Sequence, residues 1–106
     1  MFQLSSRQEF RQVYKFIITI DLKPGTRDKV LASAPEVQAA TRAQPGCLAY
    51  DFFTCTDNPE RLVFVEAWRD QAAHAYHMQQ EHTKRFIEFH EQFHRSLTFE
   101  TINPAS

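Results

Sequence analysis

Two stretches of this chain are apolar on both faces at once, and this restricts its fold more than any other feature. In VYKFIITIDL (13–22), Phe16, Ile18, Ile20 and Leu22 alternate onto one side while Val13 and Ile17 fall on the other. In RLVFVEAW (61–68), Leu62, Phe64 and Trp68 oppose Val63, Val65 and Ala67. A period of two in β-branched and aromatic residues specifies strands. Strands that are apolar on both sides belong to a sheet whose two faces are both covered.

The punctuation between strands orders the rest. Lys23-Pro24-Gly25 reads as a turn, and Thr26 begins a helix whose Val30, Ala34, Val37 and Ala40 recur at helical spacing. Pro35 lies inside it and is expected to kink or divide it. The helix stops near Pro45-Gly46, and CLAYDFFTCT (47–56) follows as a second strand. Asp57-Asn58-Pro59-Glu60 predicts a longer-than-minimal loop into the third strand. Asp70 caps a helical region running to about His94, and SLTFETI (96–102) reads as the last strand, closed by Asn103-Pro104. The order β-α-β-β-α-β predicts a ferredoxin-like α+β domain with an antiparallel four-stranded sheet over residues 13–106, preceded by a polar extension, residues 1–12. Two helices cover only one face of such a sheet. The other face is too apolar for a soluble monomer, which predicts a homodimer packed sheet to sheet.

Composition narrows the functions open to a chain of 106 residues with formal net charge -1. No block of like charge offers a footprint for nucleic acid or anionic lipid. No apolar run approaches the ~20 residues of a membrane span, and MFQLSSRQEF lacks the apolar stretch of a signal peptide. The expected location is therefore the cytoplasm, with no membrane and no nucleic acid as partner. Cys47 and Cys55 are eight residues apart on one strand, roughly 26 Å. A disulfide requires Cα atoms within about 7 Å, so these two read as free thiols.

The pattern most suggestive of chemistry is HEQFH, His90 to His94, which has the H-E-x-x-H spacing of zinc peptidases. A catalytic zinc needs a third protein ligand. Only Glu100 follows, and Leu97 stands where the extended pattern requires glycine. No metal site is therefore expected, and the pair reads as a solvated helix flank. At ~100° per residue Phe86, Phe89 and Phe93 form the inward stripe, with His82 in its middle and His90 and His94 roughly 70° and 110° away. His82 is thus the histidine expected to be buried, held by a hydrogen bond or used in chemistry. On an unbroken helix His77 would point about 140° from His82. A bend near Gln79–Glu81 would let both line one cavity, beside Trp68 at the end of the third strand.

The stretch from Pro45 to Phe86 resembles the antibiotic biosynthesis monooxygenase (ABM) family. The resembling features are Pro45-Gly46-Cys47 entering the second strand, Glu66-Ala67-Trp68 ending the third, and His77 and His82 in the helices after it. The similarity extends over roughly residues 13–102. Tyr76, Glu81 and Thr83 depart from the family pattern, which has Ala, often Pro, and Phe there. The resemblance implies a dimeric α+β barrel and a small oxygenase without metal or flavin, acting on an aromatic phenol or quinol with O2. It implies His82 or His77 as base, Trp68 as wall or hydrogen-bond donor, and Tyr50, Glu66, Tyr76 and Phe86 as substrate contacts. A histidine near neutrality suits removal of a hydroxyl proton, and aromatic walls suit a flat ring. His77 stands near a position that haem-degrading relatives give to Trp, which argues against that activity. A non-catalytic ligand-binding barrel and a small-molecule isomerase of the same fold are the alternative readings.

Overall fold

The computed structural model describes residues 13–103. The expected extension, 1–12, and Pro104 lie outside the described residues. The elements are β1 (Tyr14–Leu22), α1 (Arg27–Arg42), β2 (Cys47–Cys55), β3 (Asn58–Trp68), α2 (Gln71–Met78), α3 (Glu81–Glu91) and β4 (His94–Ile102). The strands form one antiparallel sheet in the order β2-β3-β1-β4. This is the expected ferredoxin-like α+β fold, with the second helical region divided in two. No helix among the described residues is long and apolar enough to cross a membrane.

Register explains which face carries the core. Ile18 lies opposite Phe64 on one side and Phe99 on the other, and Phe64 lies opposite Phe52. These residues share the face beneath the helices. On it Phe16, Ile20, Leu22, Leu62 and Trp68 are fully buried, joined by Val30 and Val37 of α1 and Phe86 of α3. Each such side chain contributes roughly 1.5–3 kcal/mol by leaving water. The opposite face carries Ile17, Val63 and Val65 in its middle, with Phe53 and Ile102 exposed at 52% and 40%. No element of the described chain covers it.

Three local expectations are corrected. Pro35 does not divide the helix, whose Val30 and Ala34 before it and Val37 and Thr41 after it are all buried. The β2–β3 connection is short: Cys55 pairs with Asn58, leaving only Thr56 and Asp57 to turn. Pro59 is tolerated in β3 because it lies beyond the last β1 partner, Asp21 opposite Arg61, and within the register irregularity of the β2 ladder between Thr54–Leu62 and Cys55–Asn58. β4 begins at His94 rather than Ser96, and Lys23 N donates to Phe93 O at 2.8 Å just ahead of it.

Candidate active site

The site is built where β3 runs into α2. Asp70 caps α2 by accepting a hydrogen bond from Ala73 N at 2.8 Å. Three residues apart on that helix, His74 and His77 share its inner side. The helix ends at Gln79, and Gln80 N bonds His77 O at 3.1 Å, so the break falls where the bend was needed. Thr83, early in α3, then comes within 3.2 Å of His77 Nδ1 through its hydroxyl.

Between α2, α3 and the sheet lies a cavity of about 280 Å³. Phe16, Ile18, Phe64, Phe86 and Phe99 wall it, and Tyr50, Glu66, His74, His77, His90 and His94 are among the titratable residues that line it. Four predicted residues therefore meet there: His77, Tyr50, Glu66 and Phe86. Trp68 stands behind them, fully buried, with its ring 4.7 Å from that of His77 and its Nε1 donating to Glu66 Oε1 at 3.0 Å.

Burial sets the electrostatics. Glu66 is 4% exposed, and loss of water pushes its carboxyl up to about 7, the Trp68 hydrogen bond pulling back only in part. His77 is pushed down to about 4 by burial, with the neighbouring charges of His74 and His82 adding to it. The Tyr50 hydroxyl is raised well above the ordinary phenol range by burial and by Glu66, so it stays a donor. At neutral pH the cavity thus holds a neutral imidazole, a protonated phenol and a carboxyl close to its midpoint.

His82 and Tyr76 lie elsewhere. Tyr76 is 54% exposed on the outer side of α2. His82 is half-buried in a separate groove between α1 and α3, of about 270 Å³, beside Arg85 and Glu36. The inward side of α3 is Thr83, Phe86 and His90, rotated from the expected phenylalanine stripe. α3 starts only at Glu81, so His82 belongs to its first turn, beside α1.

The HEQFH pair is also corrected. His90 is 4% exposed, with its ring 4.7 Å from Phe86 and 5.5 Å from Phe64, and is held down to about 4 by burial and then by His94. The helix ends at Glu91 and the chain turns back into β4, which a helical wheel extended to residue 94 cannot represent. His90 Nδ1 and His94 Nε2 meet at 2.8 Å, a hydrogen bond. Two imidazole nitrogens on a tetrahedral zinc stand about 3.3 Å apart, from Zn–N bonds of about 2.05 Å. Glu100 pairs with Ile17 on the opposite face of the sheet, far from any role beside them.

Sequence reasoning passed over His74 and Gln44. The spacing of His74 to His77 was a readable signal. Gln44 follows the end of α1 and had none, since only the fold brings its Oε1 to within 2.9 Å of both His77 Nδ1 and His82 Nε2.

Comparison with known proteins gives a consistent picture. The sequence profile of the family described as antibiotic biosynthesis monooxygenase matches residues 13–88. Over 69 residues the chain is 30% identical to the uncharacterized protein sll1783 of Synechocystis, covering 65% of this chain and 47% of that protein. It therefore spans about half the length of that relative. A Bacillus subtilis protein named "Putative monooxygenase YcnE" is 31% identical over 68 residues, covering 64% of this chain and 72% of its own length. Among solved structures, a crystal structure of an antibiotic biosynthesis monooxygenase superposes with a TM-score of 0.81 at 33% identity, covering 88% of this chain and 99% of that one. PA3566 from Pseudomonas aeruginosa gives 0.81 at 26% identity, covering 90% and 96%.

Proposed function

This chain belongs to the antibiotic biosynthesis monooxygenase family, and from that premise we propose that it is a cofactor-independent monooxygenase of small aromatic phenols or quinols, working as a homodimer. The observation that carries the reading is the phenylalanine-walled cavity in which Glu66, near its midpoint at neutral pH, and neutral His77 reach the same space. A carboxylate with its proton affinity near the working pH is matched to general-base chemistry. Glu66 takes the hydroxyl proton, His77 accepts a hydrogen bond that orients the ring, and Trp68 holds both from behind.

The phenolate, once formed, passes an electron to O2, and the resulting radical pair combines at a ring carbon. For an anthrone-like substrate, the ring CH2 becomes C=O: one oxygen atom stays in the product and the other leaves as water with the two hydrogens. The apolar wall keeps water from the radical pair. The dimer reading is supported by Ile17, Val63, Val65 and Phe53, an apolar sheet face that no element of the described chain covers.

The test is O2 uptake with dihydroxynaphthalenes and anthrone in metal-free buffer. Uptake above the buffer rate is expected, with loss on Glu66→Gln and on His77→Ala. A panel in which no compound consumes O2 above the buffer rate, while compounds still raise the melting temperature, replaces this reading with a ligand-binding barrel.

A further inference from the structure

Gln44 lies between the cavity and the α1–α3 groove, and its side-chain oxygen is shared. Oε1 is 2.9 Å from Nδ1 of His77, in the cavity, and 2.9 Å from Nε2 of His82, in the groove. A carbonyl oxygen only accepts, so both ring nitrogens facing it must carry hydrogen. Turned over, the amide would present NH2 to both rings, and both nitrogens would then have to be bare. In either orientation the tautomers of the two histidines are matched through one amide. The other neighbour of His77 Nδ1, the Thr83 hydroxyl at 3.2 Å, both donates and accepts and so selects neither form.

The orientation with Oε1 towards the rings is the one that suits a hydrogen-bond acceptor. With Nδ1–H bonded to Gln44, His77 has its lone pair on Nε2. Accepting the substrate's hydrogen bond there leaves the Gln44 bond intact, so nothing has to reorganise. In the other orientation Nε2 already carries hydrogen and has no lone pair to offer a substrate. The oxygen-inward arrangement leaves Gln44 Nε2 buried without a partner, a cost that two accepted imidazole hydrogen bonds offset.

We propose that Gln44 is a positioning residue that locks His77 and His82 into matched tautomers, each donating to its Oε1, and so keeps Nε2 of His77 as the lone pair offered to a bound substrate. The tautomer assignment stands on the geometry alone, while the use of that lone pair rests on the monooxygenase reading.

Long-range ¹H–¹⁵N correlation spectra of the imidazole rings at neutral pH test it, with His77 and His82 assigned by their Gln variants. Wild-type His77 is expected as the Nδ1–H form and His82 as the Nε2–H form. Gln44→Glu, whose oxygens still accept, is expected to keep the Nδ1–H signature of His77. Gln44→Leu is expected to shift His77 towards the Nε2–H form that free imidazoles favour, and to lower kcat with little change in KM. A wild-type His77 in the Nε2–H form overturns the proposal even if Gln44→Leu does not fold, as does a Gln44→Leu spectrum unchanged at His77. If the spectra behave as expected but no substrate consumes O2, the tautomer lock stands and the monooxygenase reading falls.

Discussion

Trp68 donates its indole N–H to the carboxyl of Glu66, two residues earlier on the same strand, at 3.0 Å, and both side chains are buried beneath the helices. The bond favours the ionised carboxylate, while burial, the larger effect, favours the acid. With Glu66 as the base, the rate is expected to rise with pH through an apparent pKa of about 7. Trp68→Phe removes the donor, so the limb moves to higher pH. Glu66→Gln loses on the order of 10²–10⁴ in kcat. Rate profiles between pH 5 and 9 read both effects, and a limb that ignores Trp68 contradicts the assignment.

His77 and His90 are both held down to about 4, from an ordinary value of 6.5. Between those limits the unfolded chain binds protons that the folded chain refuses. Stability therefore falls as pH drops from about 6.5 to about 4, by about 1.4 kcal/mol per pH unit for each such proton. Glu66, raised from 4.5 to about 7, works in the opposite sense across most of that window, losing stability as pH rises. Thermal melts from pH 4 to 7 are expected to show net acid destabilisation. His90→Gln flattens it, and Glu66→Gln steepens it.

His77 borders the cavity and His82 the separate groove, so their substitutions separate in magnitude. His77→Ala is expected to lower kcat/KM at least about a hundredfold, His82→Ala less than about tenfold. Equal losses in steady-state kinetics would place the reaction in the groove instead.

Gly46 has φ +82°, and a Cβ there would stand 2.7 Å from the Cβ of Ala73. Gly46→Ala combines backbone strain with a clash against α2, a cost on the order of 2 kcal/mol. A drop in melting temperature of roughly 10 °C is expected for a domain of this size. Gly25→Ala, with φ +78° and nothing within 4 Å of the added carbon, is expected to cost less.

Phe53 is 52% exposed on the helix-free face of the sheet, opposite Val63. The dimer proposal predicts a two-chain mass by sedimentation at micromolar concentration and a shift towards one chain in Phe53→Asp or Val63→Lys. A wild-type chain that sediments as a monomer ends it.

The strands, the first helix and the Asp70 cap were legible because each rests on a local pattern: period two, period three to four, or a side chain reaching three residues on. The Cys55–Asn58 turn was not, because only the irregular pairing of β3 with β2 extends past Pro59. Part of the site was legible as well. His77, Glu66, Tyr50 and Phe86 do come together. The burial of His90 is not legible in the sequence, because helical periodicity extended to residue 94 counts Phe93 in a helix that stops at Glu91.

The sequence by itself determined the β-α-β-β-α-β succession, its family, and an excess of apolar surface on the sheet, since alternation and turn chemistry act over a few residues. Only the tertiary structure decided which histidines share a cavity. That depended on a two-residue break at Gln79 and Gln80 and on the turn over Gln92 and Phe93, which re-aim whole rings without a local sequence signal. It also raised the proton affinity of Glu66 and joined His77 to His82 through Gln44. Proton affinity and hydrogen-bond sharing follow from burial among elements distant along the chain.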